Sequence, residues 1–251
     1  MQEKIEDLIQ KRVLIIDGAM GTQLQAVDIE SKFWQYENKD LEGCNEFLNL
    51  TAPHILETIY ENYAISGANF ISTNTFGSMP WVLDEYEIGH LSYELSKLAA
   101  ISAKKICEKY STKEDPKFVL ASIGPGTKLP SLGHITYDAM YEGYKTMASG
   151  LVDGGTDVFL LETCQDPLQI KAALHALNDV APNIPIMVSV TIELNGTMLI
   201  GTDALTIAAI LKPFNILSLG FNCGTGPIQV QKHVKALSEV SKFPISVHAN
   251  A

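Results

Sequence analysis

The sequence VLIIDGAMGT at residues 13–22 joins a short apolar run to a turn that contains two glycines. The run lacks the alternation of polar and apolar side chains that marks a half-exposed strand. It therefore predicts a strand buried on both faces, as in a parallel sheet. Six further runs of this type follow, and stretches with helical periodicity separate them. These runs lie at residues 69–73, 118–121, 158–162, 186–190, 216–220 and 245–248.

The helical stretches carry their own start and stop signals. Asp166-Pro167 combines an N-cap residue with proline at the first helical position, and Pro53 and Pro227 open two other stretches in the same way. Gly67 closes the stretch that starts at Pro53. Strands that alternate with helices throughout the chain predict an α/β fold with parallel strands.

Two architectures fit this pattern, an open doubly wound sheet and a (β/α)8 barrel. An open sheet collects its ligand groups at one crevice, whereas a barrel collects them from strand ends all around the ring. Polar residues and glycines follow almost every predicted strand, which favours the barrel. They are Asp17-Gly18, Thr73-Asn74-Thr75, Gly124-Pro125-Gly126, Glu162-Thr163 and Asn222-Cys223-Gly224. We expect seven of the eight strands, because the chain ends early. We expect them to form a single domain over residues 1–251 that is incomplete at its C-terminus.

The charge balance excludes some classes of partner. The chain has 18 Lys and Arg against 29 Asp and Glu, a net charge of −11. Nucleic acids and anionic membranes require a basic surface, so neither is an expected partner. The sequence has no signal-peptide pattern and no apolar run of membrane-spanning length. Its four cysteines stand far apart and form no CxxC pair, which indicates a cytoplasmic protein with reduced thiols.

Two strand ends near the N-terminus could bind a substrate. The glycine-containing turn after Asp17 can direct backbone N–H groups of Gly18, Ala19 and Met20 toward a carboxylate or phosphate. It is equally consistent with an ordinary tight turn between a strand and a helix. Thr73 and Asn74 could orient a substrate through their hydroxyl and amide groups, or they could cap the next helix.

Two later strand ends carry groups with stronger chemistry. Glu162 ends the most hydrophobic strand, where an unpaired carboxylate is costly, so it could receive a substrate ammonium group or accept structural hydrogen bonds. Cys223, in Asn222-Cys223-Gly224, lies between a strand and a helix N-terminus, an environment that favours the thiolate. A thiolate is a nucleophile and a soft metal ligand. By itself, a lone cysteine is more often a small buried apolar residue.

As a set, these segments resemble the homocysteine S-methyltransferase family, and they lean toward its cobalamin-dependent methionine synthases. The matching segments are VLIIDGAMGTQLQ at 13–25, LEGCNEFL at 41–48, GANFISTNTF at 67–76, LLET at 160–163, GFNCGTGP at 220–227 and VHANA at 247–251. They occur in the right order and at suitable spacing, and they cover essentially the whole chain. The family's fold is a (β/α)8 barrel, which agrees with the architecture favoured by the strand ends.

The resemblance also implies a mechanism and site roles. In this family three cysteines hold zinc, and zinc holds homocysteine as a thiolate that accepts a methyl group to form methionine. Cys223 corresponds to the first of these cysteines, and the adjacent Cys-Cys pair has no counterpart here. Glu162 is expected to bind the substrate ammonium group and the amides of Gly18, Ala19 and Met20 its carboxylate. Asp17, Thr73, Asn74 and Asn222 are expected to orient the substrate or the metal ligands.

The methyl donor is open at this point. A methionine synthase would use methylcobalamin, recharged from methyltetrahydrofolate by modules that this chain lacks. A stand-alone enzyme that uses S-methylmethionine or betaine is the alternative. A further alternative, of another class, is a non-catalytic barrel fragment that only binds a ligand or a partner. With one zinc ligand of three, the 251 residues are expected to be inactive alone.

Overall fold

The computed structural model describes residues 4–250, which form two compact units. Unit 1 contains residues up to Ser122 together with Thr146–Asp157, and unit 2 contains Ile123–Lys145 and the residues from Val158 onward. The single domain predicted over residues 1–251 stays a prediction. No helix among the described residues is long and apolar enough to cross a membrane.

Unit 1 holds the first helices and strands of the chain. Its helices are α1 (Ile5–Leu8), α2 (Met20–Gln25), α3 (Leu48–Thr51), α4 (Pro53–Ile65), α5 (Pro80–Leu83) and α6 (Ser92–Tyr110). Its strands are β1 (Gln35–Tyr36) and β2 (Lys39–Asp40), which pair antiparallel, then β3 (Phe70–Ser72) and β4 (Phe118–Ile123, whose last residue falls in unit 2). Short 3-10 helices cover Ser31–Trp34, Asn45–Phe47, Asp84–Tyr86 and Gly89–Leu91.

The first predicted strand, residues 13–17, is wrong as a full strand. In the structure it is an extended segment that forms one parallel bridge, between Ile16 and Phe70 of β3. The carbonyl of Ile15 accepts hydrogen bonds from the N–H groups of Asn69 and Phe70, at 2.8 and 3.0 Å. The side chain of Val13 is 88% exposed and that of Ile15 56% exposed. Too little apolar surface is buried here to hold a longer strand in register.

Unit 2 carries the later parallel strands. They are β5 (Val158–Cys164), β6 (Ile186–Val190), β7 (Ser218–Asn222) and β8 (Ile245–His248). They pair in chain order, each parallel to the next. The helices are α8 (Pro167–Val180), α9 (Ala204–Leu211) and α10 (Pro227–Val240), with a 3-10 helix at Pro130–Leu132. Helix α7 (Tyr137–Asp153) contributes residues to both units.

Burial in unit 2 follows the order of the strands. Every residue of β6 and β7 is buried, as the continuous apolar runs predict. Strand β8 is only partly buried, and Val247 is 45% exposed. The apolar runs of β6 and β7 thus lie in the interior of unit 2, and β8 is the last strand of the pairing order in the described chain.

The predicted helix signals are confirmed at three positions. Asp166 caps α8, since its Oδ1 accepts a hydrogen bond of 2.8 Å from the N–H of Leu168, and Pro167 is the first helical residue. Helices α4 and α10 likewise begin at Pro53 and Pro227. One side-chain cap and three prolines thus mark where these helices start.

Candidate functional site

Asp17 lies at the end of the extended segment in unit 1, and its carboxylate is held by one residue of β3. The side chain is 6% exposed. Oδ2 accepts a hydrogen bond of 2.7 Å from the N–H of Ser72, and Oδ1 accepts one of 2.5 Å from its hydroxyl. Both carboxylate oxygens therefore have protein donors, and the arrangement joins the segment to β3.

We expect Asp17→Asn to lower the free energy of unfolding by about 1–3 kcal/mol, because asparagine keeps only one acceptor oxygen for the two donors of Ser72. Denaturant unfolding of the purified chain measures the loss. Asp28→Asn, at an exposed position, is the matched control and should change stability by less than about 0.5 kcal/mol. Equal losses in the two variants would contradict the structural role of Asp17.

The turn after Asp17 is closely packed at its glycine. A Cβ on Gly18 would lie 2.7 Å from the hydroxyl oxygen of Tyr63, so no larger residue fits there without movement. The same hydroxyl donates a 3.0 Å hydrogen bond to the carbonyl of Ala19. Helix α2 starts at Met20, and Ala19 at its N-cap provides no side-chain cap. The turn places Gly18 and Ala19 directly before helix α2, which begins at Met20, and the binding role of their backbone N–H groups stays a prediction.

Thr73 and Asn74 follow β3, and both are buried. The hydroxyl of Thr73 accepts a 3.1 Å hydrogen bond from the N–H of Ser122. Asn74 donates through its backbone N–H to the hydroxyl of Tyr60 at 2.8 Å and through Nδ2 to the carbonyl of Asn45 at 2.7 Å. These contacts fix the conformation of the turn after β3, which the sequence could not show.

In unit 2, Glu162 and Thr163 lie where β5 is irregular. The pairing of β5 with β6 shifts register between Leu161 and Cys164. Thr163 has a φ of 58°, in the left-handed region that β-branched residues rarely adopt. Such bulges redirect side chains and are frequent beside active sites. The Glu162 side chain is partly exposed here at the strand end.

Asn222 ends β7 and joins this bulge to Cys223. Its Oδ1 accepts a 2.8 Å hydrogen bond from the N–H of Thr163. Its Nδ2 donates to Thr163 Oγ1 at 2.8 Å and to Cys223 Sγ at 3.3 Å. The backbone N–H of Cys223 donates to the carbonyl of His248 at 3.1 Å, so β8 also holds this position. Cys223 itself has a φ of 55°.

Cys223 differs from the other cysteines in exposure. All four are free thiols, but Cys44, Cys107 and Cys164 are buried and Cys223 is exposed. Burial raises the pKa of the Cys44 thiol to about 12, and it raises the pKa values of Cys107 and Cys164 as well. The three buried thiols are therefore protonated near neutral pH. Cys223 is the cysteine that is open to a reagent or a metal.

The donor set around Cys223 does not make a complete metal site. Among residues 4–250, no three or more His, Cys, Asp or Glu side chains come together in a way that could hold a metal ion. A catalytic zinc requires three protein ligands and an open position. The described residues do not provide such a set, so no catalytic step through zinc is derived from them.

Sequence reasoning singled out Asp17 and Asn222 but not the roles of the residues that donate to them. Ser72 and Ser189 were not named as candidates, and Thr163 was named only as a polar residue after a strand. Ser72 and Thr163 lie at strand ends, where the other candidates were found. That position is the one signal in the sequence that could have indicated them.

Comparison with known proteins places the chain among homocysteine S-methyltransferases. The profile of the homocysteine S-methyltransferase family matches residues 14–251. Methionine synthase of Mycobacterium tuberculosis (strain ATCC 25618 / H37Rv) is 41% identical over 249 residues, which cover 98% of this chain and 21% of that protein. Methionine synthase of Mycobacterium leprae (strain TN) is 40% identical over 249 residues, which cover 98% of this chain and 20% of that protein. The chain thus spans about a fifth of the length of the curated relatives it matches.

Among solved structures, the metallated form of the homocysteine methyltransferase MmuM from Escherichia coli has a similar fold. The TM-score is 0.83 at 21% identity, and the match covers 98% of this chain and 86% of that one. Its oxidised form gives a TM-score of 0.80. At this identity the likeness concerns the fold alone. With the parallel strands of each unit, it confirms the predicted α/β fold of the (β/α)-barrel class.

Proposed function

The chain belongs to the homocysteine S-methyltransferase family, and from that premise we propose that it binds homocysteine for methylation of the substrate sulfur to methionine. The observation that carries the proposal is the exposed Cys223 thiol, which Asn222 holds at the end of β7. The thiol lies where ligand-binding groups of this fold class occur, at the carboxyl end of a strand.

Each end of homocysteine is assigned to chemistry that suits it. Glu162 supplies a carboxylate for the substrate ammonium group, since a charge-assisted hydrogen bond is strong where the carboxylate is partly desolvated. The backbone N–H groups of Gly18, Ala19 and Met20 receive the substrate carboxylate. Cys223 is assigned to the sulfur end of homocysteine, where the zinc expected in this family would be held. Asp17, Thr73, Asn74 and Asn222 keep these groups oriented.

The reaction itself is a methyl transfer between a donor and sulfur. The homocysteine thiol loses its proton to solvent water, and its sulfur forms a bond to the methyl carbon. The bond from that carbon to the donor breaks, and its electron pair stays with the donor. Zinc, the metal expected in this family, would stabilise the thiolate. In this chain Cys223 is the single residue that we assign to such a site.

For the methyl donor we propose methylcobalamin, recharged from methyltetrahydrofolate. The support is the 41% identity to a protein named methionine synthase that is about five times longer than this chain. The other modules of such a protein would bring the donor to the homocysteine module. Cobalt-dependent turnover by the longer polypeptide tests this proposal. Turnover with S-methylmethionine or betaine and without cobalt would overturn it. We further propose that the protein works in the cytoplasm, where its four free thiols stay reduced.

Homocysteine affinity tests the assignment of Glu162. We expect Glu162→Gln to raise the Kd for homocysteine about 10- to 100-fold, because a hydrogen bond to a charged group contributes about 1.5–3 kcal/mol. Isothermal titration calorimetry measures this on a polypeptide that joins the module to the two further cysteines of the family pattern. Glu239→Gln, an exposed acid on α10, is the matched control and should leave the Kd unchanged.

Two outcomes of the titration would contradict two different proposals, the role of Glu162 and the function as a whole. An unchanged Kd in Glu162→Gln removes the role of Glu162 but keeps homocysteine binding. A polypeptide that binds no homocysteine and transfers no methyl group contradicts the proposed function as a whole. That second outcome supports a non-catalytic ligand-binding or interaction domain instead.

A further inference from the structure

The side-chain amide of Asn222 is saturated by protein groups. Asn222 is 3% exposed. Its Oδ1 accepts hydrogen bonds from Thr163 N–H at 2.8 Å and from the Ser189 hydroxyl at 2.7 Å. Its Nδ2 donates to Thr163 Oγ1 at 2.8 Å and to Cys223 Sγ at 3.3 Å. An asparagine amide has two lone pairs and two hydrogens, so all four positions are used and none remains for a substrate.

The partners of Asn222 also fix which way its amide faces. A backbone N–H can only donate, so the group opposite Thr163 N–H must be the amide oxygen. A flipped amide would set two donors against each other there. The nitrogen consequently faces Cys223 and donates to its sulfur. The orientation of the amide therefore follows from the network around it, which is how such orientations are assigned.

Thr163 serves this network with two different groups. Its N–H and its hydroxyl contact opposite ends of the same amide. The register shift between Leu161 and Cys164 and the left-handed φ of 58° place both groups on Asn222. Glycine would adopt this backbone conformation at lower cost but has no hydroxyl. The strained backbone conformation is thus coupled to a hydrogen bond that needs an acceptor oxygen on the side chain, which glycine lacks.

We propose that Thr163 and Ser189 are positioning residues for the Cys223 thiol. They hold the Asn222 amide so that its N–H donates to Sγ and keeps the sulfur in one orientation. The inference rests on the proposed function in one respect, the assignment of thiol chemistry to Cys223. Asn222 then acts on the sulfur and not on homocysteine. Groups that hydrogen-bond the ligands of a soft cation commonly change its affinity 10- to 100-fold when removed.

The test uses the 251-residue chain and phenylmercury, a soft cation that one thiolate can bind alone. Phenylmercury is offered as its glutathione adduct. In the exchange, the mercury–sulfur bond to glutathione breaks and one to Cys223 forms, while the proton of the Cys223 thiol passes to glutathione. The other three thiols are buried, so Cys223→Ala gives the background. The equilibrium constant is measured at one fixed pH by mass spectrometry of the intact protein.

We expect Thr163→Val to lower the exchange constant about tenfold and Ser189→Ala to lower it about threefold. Thr163→Ser, which restores the hydroxyl, should stay within about twofold of the unmodified chain. Thr197→Val removes a partly exposed hydroxyl elsewhere in unit 2 and should leave the constant unchanged. Thermal unfolding is measured in parallel. A purely structural role of Thr163 would shift the unfolding midpoint without the selective loss of mercury affinity.

If folded Thr163→Val has an exchange constant within twofold of that of the unmodified chain, the proposal is overturned. If Thr163→Val does not fold, Ser189→Ala decides in the same way, because Ser189 contacts the amide from its oxygen end. The test is independent of the proposed function, since no homocysteine is present. A protein that does not bind homocysteine would contradict the proposed function. The measured exchange constants would still decide the role of Thr163 and Ser189.

Discussion

Cys223→Ala is expected to remove zinc and methyl transfer from a polypeptide that joins this module to the two further cysteines of the family pattern. Zinc held by four ligands binds with roughly 10–16 kcal/mol, so one thiolate accounts for about 2.5–4 kcal/mol of that affinity. The zinc Kd should rise about 100- to 1,000-fold. Zinc retained after dialysis against a chelator should fall below about a tenth of the original content, and methyl transfer to homocysteine should fall in parallel.

The matched control is Cys107→Ala, which removes a buried thiol from the core of unit 1. This variant should lose stability, since it removes buried apolar volume, but it should retain zinc. Retention of zinc and turnover by Cys223→Ala would show that the exposed thiol is not a metal ligand. Loss of zinc in both variants would point to a general loss of structure, which circular dichroism of each protein detects.

Gly220→Ala should destabilise unit 2 more than any other substitution considered for this chain. A Cβ on Gly220 would lie 1.8 Å from the carbonyl oxygen of Ser246, its partner on β8, and 2.5 Å from the Ser246 hydroxyl oxygen. Real contacts of this kind are well above 3 Å, so β7 and β8 must move apart. Overpacking of this degree costs about 3 kcal/mol or more. Denaturant unfolding monitored by circular dichroism measures the loss.

Gly21→Ala provides the control for this substitution. Gly21 lies in helix α2, and a Cβ there has no atom within 4 Å. Alanine at such a position is neutral or stabilises by about 0.5–1 kcal/mol. If Gly220→Ala and Gly21→Ala were equally stable, the close approach of β7 and β8 at Gly220 would be wrong. The position of Cys223 would then be in doubt, because Cys223 directly follows β7 and bonds to the carbonyl of His248.

Much of the fold could be predicted because the strand runs are local signals. The runs at β3 to β8 and the helix starts at Pro53, Asp166 and Pro227 depend on residues next to one another in the chain. The run at residues 13–17 failed for the opposite reason. Its apolar residues read as a strand, but the exposure of Val13 and Ile15 shows that burial by distant parts of the chain decides its extent.

The candidate site could be predicted only in part. Asp17, Glu162 and Cys223 have chemistry that is unusual at a strand end, so their residue types were enough to select them. Thr163 and Ser189 are common residues whose role depends on contacts with Asn222, 59 and 33 positions away in the chain. Those contacts require the register of β5 and β6 with β7 and the bulge in β5. Neither can be read from local periodicity.

Thr163 and Cys223 share a backbone conformation that has a consequence for protein engineering. Both have a left-handed φ, 58° and 55°, where glycine or asparagine is preferred by about 1–2 kcal/mol. A redesign that optimises stability alone would therefore replace both residues. It would remove the exposed thiol and the hydroxyl that bonds to the Asn222 amide. The resulting protein would be more stable but would lack the thiol to which we assign the chemistry. Stability and the proposed function are in conflict at these two positions, so both should be kept fixed in any such redesign.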